Sequence, residues 1–492
     1  MKMDKVKLIA TSDYLKLVFI LTLAFYLAFI PHQSYPYPVH LDEWIHMACS
    51  EEIIKEGSAF GLTDPFSGGG SNFNQLFEFG FHVFWAVFYM ISGIAWFDIF
   101  KYFPSIIFIV TVLSVYVLAQ RQGFGWEAAI IACLIPTTLG ILGPGFLVPV
   151  AMGLLFISLS LFVAFNIKGW LSYVLLFIFS LFLFSIHAVT AIGLIIILIP
   201  YLLLGLKKDT KHSLGITLSV FAPFAIIIIL FPGIWDALVL RQVESLMETS
   251  SISPFIDVPH IITIFGYIPI SLGLLGIFIM LKRGGDSNYG LVLGLLVLLI
   301  ILYSFFTFGY GINLLYYRGL IYLMLLLSIV AGAGLMSVKN AKLPTLLINK
   351  FKIPHFGSSV GYILCPILIF LILYAAIPVR QNILYYHMID EPDFKAFTWI
   401  RDNLDSSYKK AILDPWKGAA FTAITGRNVY TLIRVCILPI DEKAYSFLRD
   451  GCKDTSFLEN NGISIIYTRD ECDNPELVEV KDNIYLLEEA RE

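Results

Sequence analysis

Long apolar stretches recur along most of the chain, and short polar or turn-forming segments separate them. A helix that crosses a bilayer needs about 17 to 25 mostly apolar residues, because backbone groups left unpaired in hydrocarbon are costly. Eleven stretches meet this requirement: 14–31, 98–119, 126–142, 147–166, 170–186, 188–206, 213–231, 260–281, 289–308, 314–337 and 359–377. The pattern therefore predicts a polytopic α-helical membrane protein with about 11 transmembrane helices.

The composition agrees with a chain that lies in lipid over most of its length. Of the 492 residues, 58% are hydrophobic and only 14% are charged, and the mean hydropathy is +0.79. No soluble domain needs this much apolar surface. The net charge of −4 is too small to indicate nucleic-acid binding. We therefore expect membrane lipid, and no nucleic acid, as a partner.

The distribution of lysine and arginine predicts how the chain crosses the membrane. One further apolar segment, 77–94, contains Glu78 and His82 and either crosses the bilayer or lies in its outer interface. If it does not cross, the basic loops all fall on the amino-terminal side: 2–7, Arg121, Lys168, 207–211, 282–283 and 339–352. Positive loops mark the cytoplasmic side. We therefore expect a multi-pass protein of the cell membrane with a cytoplasmic amino terminus and an extracytoplasmic carboxyl terminus.

The sequence changes character at about residue 380. Three segments beyond this point are typical of short strands, namely KAILDP, GISIIYT and NIYLLEE. Three others have the spacing of amphipathic helices, namely PDFKAFTWIRDNL, WKGAAFTAITG and DEKAYSFLRDG. This alternation predicts a small extracytoplasmic α/β domain at 380–492. Residues 1–379 then form the transmembrane domain, with an external loop at 32–97.

Three of the six cysteines lie in this tail, at Cys436, Cys452 and Cys472. In an oxidising compartment they leave one disulfide and one thiol, and the sequence does not select the pair. Neither CxxC nor a Cys/His spacing typical of zinc sites occurs, so the sequence predicts no structural zinc.

An acidic dipeptide follows the first apolar stretch, in HLDEWIH at 40–46. On a helix, Asp42 lies one turn from His46, and Glu43 lies on a neighbouring face. Two carboxylates beside an imidazole can bind a divalent cation, or one of them can act as a general base. The same residues suit the start of any helix, because the helix dipole favours acidic side chains there. Residue types alone leave these interpretations open.

The motif resembles the first external loop of the GT-C membrane glycosyltransferases. HLDEWIHMACSEEIIKEG is most similar to the corresponding motif of protein mannosyltransferases and aminoarabinose transferases. The later features follow the order found in the catalytic subunit of oligosaccharyltransferase: KYFPSI, IPTTLG, GPGF and the α/β tail. The resemblance implies a GT-C-like fold in which Asp42 is the catalytic carboxylate and Glu43 its neighbour.

The activity that the resemblance implies is sugar transfer at the outer membrane face. The donor would be a polyprenyl-phosphate or polyprenyl-diphosphate sugar, such as a dolichyl phosphate sugar, and the acceptor a protein, lipid or glycan. Because such a donor already carries a good leaving group, one carboxylate suffices to deprotonate the acceptor. Asp42 is then either this general base or, with Glu43, a ligand to Mg²⁺ or Mn²⁺.

Two departures from the oligosaccharyltransferase pattern favour a simpler reaction. The tail has ILDPWKGAAFTAITGR at 412–427, where oligosaccharyltransferases carry a WWDYG motif. The turn GPGFLVP at 143–149 lacks the acidic pair that those enzymes use as metal ligands. These differences favour metal-independent transfer of a single sugar over en bloc transfer to asparagine.

Two polar residues in apolar surroundings are candidate substrate-binding groups. Arg318 lies at the outer end of a predicted span, where it suits the donor phosphate or, equally, lipid headgroups. His187 lies in an apolar hairpin, where it indicates either a site or an interhelical hydrogen bond. Five further residues complete the predicted substrate-binding set: His40, His46, His82, Lys101 and Arg241.

Two other functions remain open. The first is a multi-pass transporter or flippase of lipid-linked substrates, although such proteins usually carry charged residues at midplane depth. The spans here are nearly free of charge, and ionisable residues collect at one face, which favours surface chemistry. The second is an assembly or sensor protein whose external domain binds a partner.

Overall fold

A computed structural model describes most of the chain. The described residues are 13–58, 63–69, 78–138, 140–230, 259–309, 311, 313–341, 360–383, 385, 387–434 and 437–487. The chain divides into two compact units. The membrane unit comprises Met1–Gln33 and Tyr102–Leu384, and the loop–tail unit comprises Ser34–Lys101 and Tyr385–Glu492.

Helices dominate both units. In chain order they are α1 Asp13–Phe29, α2 Leu41–Glu56, α3 Phe79–Ser92, α4 Trp96–Gln120, α5 Gly125–Ala132, α6 Pro149–Asn166, α7 Trp170–Ile186, α8 Ala188–Leu206, α9 Thr210–Leu230, α10 His260–Phe265, α11 Tyr267–Arg283, α12 Asp286–Phe308, α13 Asn313–Lys339, α14 Val360–Gln381, α15 Glu391–Asn403, α16 Gly418–Thr425, α17 Pro439–Arg449 and α18 Thr455–Asn460. The strands are β1 Lys410–Ile412, β2 Asn428–Val429, β3 Ile465–Tyr467, β4 Leu477–Lys481 and β5 Ile484–Leu487.

Within the described residues, eight helices are long and apolar enough to cross a bilayer: α1, α4, α6, α8, α9, α12, α13 and α14. The chain is therefore a multi-pass membrane protein. Helix α13 is the most buried of the eight, and α14 the least. Because α13 packs against α5, α11, α12 and α14, it forms the centre of the membrane unit.

Two of the eleven predicted spans have a different form in the structure. The stretch 126–142 forms only the short helix α5, followed by non-helical backbone that includes Pro136. The stretch 260–281 divides into α10 and α11 at Gly266, whose φ of +103° is accessible to glycine. The predicted span 170–186, in contrast, coincides with α7, which is apolar and 17 residues long.

The loop–tail unit contains a five-stranded sheet in the order β2-β1-β3-β5-β4. Strand β1 runs parallel to β2 and β3, whereas β5 runs antiparallel to β3 and β4. The three predicted strands correspond to β1, β3 and β5, and the three predicted helices to α15, α16 and α17. The predicted small sheet domain is therefore confirmed, and β2, β4 and α18 add to it.

The core of this domain is apolar and includes a disulfide. Ile412 and Ile466, on neighbouring strands, pack with Leu448 and with Leu458. Cys452 belongs to the same cluster and is bonded to Cys472. Cys436, the third cysteine of the tail, lies outside the described residues.

Candidate functional site

The amino terminus of α2 holds the predicted acidic pair, and the structure gives its members different environments. Glu43 is fully buried, and its Oε2 accepts the backbone N–H groups of Val39 and His40 at 2.7 and 3.0 Å. His40 in turn accepts the N–H of Asp42 on Nδ1 at 3.1 Å. Glu43 and His40 thus complete a capping box, which satisfies the backbone donors at the helix end.

Asp42 is the accessible member of the pair. Its side chain is 29% exposed, and its Oδ2 lies 3.8 Å from His40 Nδ1. A half-exposed carboxylate in the first turn of a helix is able to accept a proton from an incoming group. Of the two predicted catalytic carboxylates, Asp42 is therefore the one that solvent reaches, whereas Glu43 holds the backbone.

The oxygen ligands that the resemblance implies for a divalent cation do not fit this site. Glu43 already accepts two backbone hydrogen bonds in a buried cap, and the turn at 143–149 carries no acidic residue. Neither Glu43 nor this turn therefore supplies a second oxygen ligand for a metal ion at Asp42.

A second group of polar side chains lies between α2 and α3. His46 Nδ1 is 3.0 Å from His82 Nε2, and His46 Nε2 is 3.8 Å from Glu78 Oε2. Within the described ranges, these three residues are the His/Cys/Asp/Glu group whose ligand atoms converge closely enough to hold a metal ion. Burial lowers the pKa of His82 to about 4, so its imidazole is neutral at physiological pH.

His46 and His82 were predicted as separate substrate-binding residues, and their contact with each other was not predicted. Helix α3 packs against α2 through Ala86 and Ile53, and this contact places the two imidazoles side by side. Glu78, one turn before His82, is absent from the predicted site. The i,i+4 spacing of Glu78 and His82 in the sequence could have indicated that the two side chains lie close together on one helix face.

In the membrane unit, His187 interrupts the helical path between α7 and α8. Its Nδ1 caps α8 by accepting the N–H of Thr190 at 3.2 Å, and it lies 2.6 Å from Thr190 Oγ1. The same hydroxyl is 2.6 Å from the hydroxyl of Tyr322 on α13. His187 thus begins a hydrogen-bonded chain that joins α8 to α13.

Two glycines make room for this chain. A Cβ at Gly153 would lie 2.7 Å from the Thr190 side chain, and one at Gly193 would lie 2.9 Å from the Tyr322 ring. The side chains of this hydrogen-bonded chain are therefore closely packed, because neither glycine position has space for a methyl group.

Arg318 lies one turn before Tyr322 on α13 and is half-buried. It is close enough to interact electrostatically with both His187 and Tyr322. Its Nε is buried and has no hydrogen-bond partner among the residues that the structure describes. A buried guanidinium donor of this kind costs free energy unless a ligand accepts from it.

The remaining predicted residues are less informative. Lys101 lies on α4 and is half-buried. Arg241 lies outside the described residues. Thr190 and Tyr322 are absent from the predicted site, because their side chains are uncharged and the prediction of Arg318 depended on its charge.

Comparisons with known proteins establish the fold. No protein-family model matches the chain, and no curated protein sequence matches it. Among solved structures, the Archaeoglobus fulgidus oligosaccharyltransferase in the apo form matches with a TM-score of 0.64 at 14% identity, over 93% of this chain and 70% of that chain. Archaeal oligosaccharyltransferase AglB from Archaeoglobus fulgidus, in complex with an inhibitory peptide and a dolichol-phosphate, matches with a TM-score of 0.62 at 14% identity, over 92% and 69%.

The Archaeoglobus fulgidus enzyme in complex with Zn and sulfate also matches, with a TM-score of 0.62 at 14% identity, over 92% of this chain and 67% of that chain. At this level of identity the likeness concerns the fold alone. The predicted GT-C-like fold is confirmed.

Proposed function

We propose that this protein is a glycosyltransferase that moves a sugar from a polyprenyl-phosphate or polyprenyl-diphosphate carrier to an acceptor at the outer membrane face. The observation that carries the proposal is the buried Nε of Arg318, which lacks a partner among the described residues. Arg318 lies one helical turn before Tyr322, where the hydrogen-bonded chain from His187 ends. A phosphate oxygen is the acceptor that best suits a guanidinium in apolar surroundings.

The roles of the residues follow from their chemistry. Arg318 binds the carrier phosphate and stabilises the negative charge that grows on it as the sugar leaves. His187 is a positioning residue, because it orients Thr190 and, through it, Tyr322 on α13. Asp42 accepts the proton of the acceptor group, a role that rests on its exposure and on the first-loop motif.

The reaction balances without a cofactor. The bond between the anomeric carbon and the phosphate oxygen breaks, and its electron pair leaves with the polyprenyl phosphate. The acceptor forms a new bond to the anomeric carbon and gives its proton to Asp42. The structural relatives were solved with a dolichol-phosphate and with a tethered acceptor peptide, which supports this donor class and makes a peptide the first acceptor to test.

The proposal includes an orientation in the membrane. The amino terminus is cytoplasmic and the tail extracytoplasmic, because the basic loops then lie on the cytoplasmic side. The Cys452–Cys472 disulfide supports an extracytoplasmic tail, since disulfides persist in oxidising compartments.

The experiment offers purified protein a panel of polyprenyl-linked hexose, pentose and oligosaccharide donors and measures the release of free carrier. We expect slow release without an acceptor and faster release with one. Asp42→Asn and Arg318→Ala should each lower turnover by about 100-fold or more. Glu56→Gln, at the exposed far end of the same helix as Asp42, and Arg121→Gln, on the surface, are the matched controls.

The outcomes separate the candidate functions. Inertness with every donor, or full activity of Asp42→Asn, overturns the transferase proposal. Transfer of intact donor across proteoliposome membranes without cleavage would instead identify a flippase. If a loss of folded protein, measured by thermal unfolding, accounts for the lower turnover of Arg318→Ala, the assignment of Arg318 to the phosphate is wrong.

A further inference from the structure

We propose that His46, Glu78 and His82 bind a zinc ion that links α2 to α3. This inference is independent of the transferase proposal, because it concerns the folding of the first external loop. It also departs from the sequence-based expectation of no structural zinc, which considered only ligands with regular spacing along the chain.

The geometry of the three side chains is close to that of a zinc site. Their ligand atoms all lie within 4.8 Å of one another. Two imidazole nitrogens bound to one tetrahedral zinc are about 3.3 Å apart, given Zn–N distances of about 2.0 to 2.1 Å. The observed separation of His46 Nδ1 and His82 Nε2 is 3.0 Å, so small side-chain rotations suffice to admit an ion.

The burial of the two histidines supports a ligand role. His46 and His82 are 4% and 3% exposed, and the His46 ring packs edge-on against the fully buried Phe81 at 4.9 Å. Two adjacent imidazoles that are buried in this way carry a desolvation cost. Coordination to a cation repays that cost.

Glu78 supplies both the third ligand and the access route. Its carboxylate is 24% exposed, whereas the two rings are enclosed. An ion therefore reaches the histidines past Glu78, and a water molecule can occupy the fourth position. Three protein ligands with one solvent position are a common arrangement for zinc.

The ligand types select the metal. Imidazole nitrogens suit Zn²⁺ and the later transition metals, whereas Mg²⁺ and Ca²⁺ prefer oxygen ligands. The proposed site is thus distinct in chemistry from an Mg²⁺ or Mn²⁺ site at Asp42. An ion at this site would hold His46 against α3. It would thereby also fix the position of Asp42, which lies one helical turn from His46 on α2.

The link would stabilise a long loop. His46 and His82 are 36 residues apart in the chain, so the unfolded chain does not hold the ligands together. The ion binds the folded loop, and its binding free energy adds to the stability of the fold. The ion should therefore raise thermal stability as well as bind.

The test uses full-length, tag-free protein in detergent, because a histidine tag would bind zinc itself. Protein is stripped with a chelator and dialysed against buffer with micromolar Zn²⁺, and metal content is measured by mass spectrometry. We expect about one zinc per chain and a rise in Tm of about 5 °C with Zn²⁺ but not with Mg²⁺.

Variants make the assignment specific. His46→Ala combined with His82→Ala should lose the zinc, and Glu78→Gln should bind it at least about tenfold more weakly. His212→Ala, which removes a histidine that contacts Tyr173 in the membrane unit, should retain one zinc. The inference is overturned if wild-type protein binds no more zinc than the double variant, or if Mg²⁺ gives the same rise in Tm. A zinc-loaded but inactive protein would refute only the transferase proposal.

Discussion

Arg469 shows how one side chain connects separate parts of the loop–tail unit. It pairs with Asp390 at 2.5 Å and with the buried Asp393 at 2.7 Å, just before and within α15. Asp390 also caps α15 by accepting the N–H of Asp393 at 3.0 Å. The guanidinium of Arg469 therefore holds the pKa of the Asp390 carboxyl well below its ordinary value.

The lowered pKa gives this pair a specific dependence on pH. Since the pKa of Asp390 is lower in the folded state than the value of about 3.9 in an unfolded chain, the stabilisation is present above pH 4 and is lost as the pH falls further. The difference in Tm between wild type and Arg469→Gln should be constant from about pH 5 to 8 and shrink below about pH 4. Arg449→Gln, at an exposed arginine on α17, is the control. A difference that stays constant down to about pH 3 would contradict the argument.

At the scale of elements, the departure from regular helix after α5 depends on a distant arginine. Arg380, in the last turn of α14, is buried and donates to the carbonyl oxygens of Cys133 at 3.0 Å and of Leu134. These carbonyls lie where the helical pattern stops. Backbone without regular hydrogen bonds is tolerated inside a membrane protein only where such partners exist.

The sequence could predict part of this arrangement. Pro136 and Gly266 are helix-breaking residue types within apolar runs, although the predicted spans 126–142 and 260–281 ran through both. The contribution of Arg380 was not, because it comes from 247 residues further along the chain. The same limit applies to the site. His187 and Arg318 were identified as polar residues in apolar surroundings, and Asp42 and His46 from the HLDEWIH motif, whereas their partners depend on how helices pack.

Arg380→Met should remove the donors to both carbonyls while keeping the apolar stem. We expect a loss of about 2 to 3 kcal/mol in the free energy of unfolding, because two buried acceptors lose charged partners. Thermal unfolding of the purified protein measures it. Arg380→Lys keeps the charge and should recover part of the loss, and an unchanged Tm for Arg380→Met would show that the carbonyls have other partners.

At the scale of the whole molecule, the two units have different chemical character. The membrane unit is built from long apolar helices around α13, and the loop–tail unit from a mixed sheet with ion pairs and a disulfide. The resemblance and the periodicity predicted both kinds of structure. That residues 34–101 belong to the same compact unit as the tail depends on long-range contacts, such as the bond from Tyr35 to the carbonyl of Ile389, which no local pattern reports.

The proposed orientation can be tested with single cysteines and a membrane-impermeant maleimide on intact cells. Ser67→Cys and Asp482→Cys, both exposed positions of the loop–tail unit, should be labelled. Lys208→Cys, in a basic loop, should react only after the cells are opened. Among the described residues, the free cysteines Cys49, Cys133 and Cys365 are buried. Replacing Cys436 by serine in every variant removes the remaining thiol, which keeps the background low. Labelling of Lys208→Cys on intact cells would contradict the proposed orientation.

The bond between Cys452 and Cys472 has a practical consequence for anyone preparing the protein. It closes a short ring beside the apolar centre of the tail, and opening a ring of this size typically removes about 3 kcal/mol. Dithiothreitol in purification buffers, or production in a reducing compartment, would therefore yield protein whose tail domain is less stable than that of the disulfide-bonded molecule.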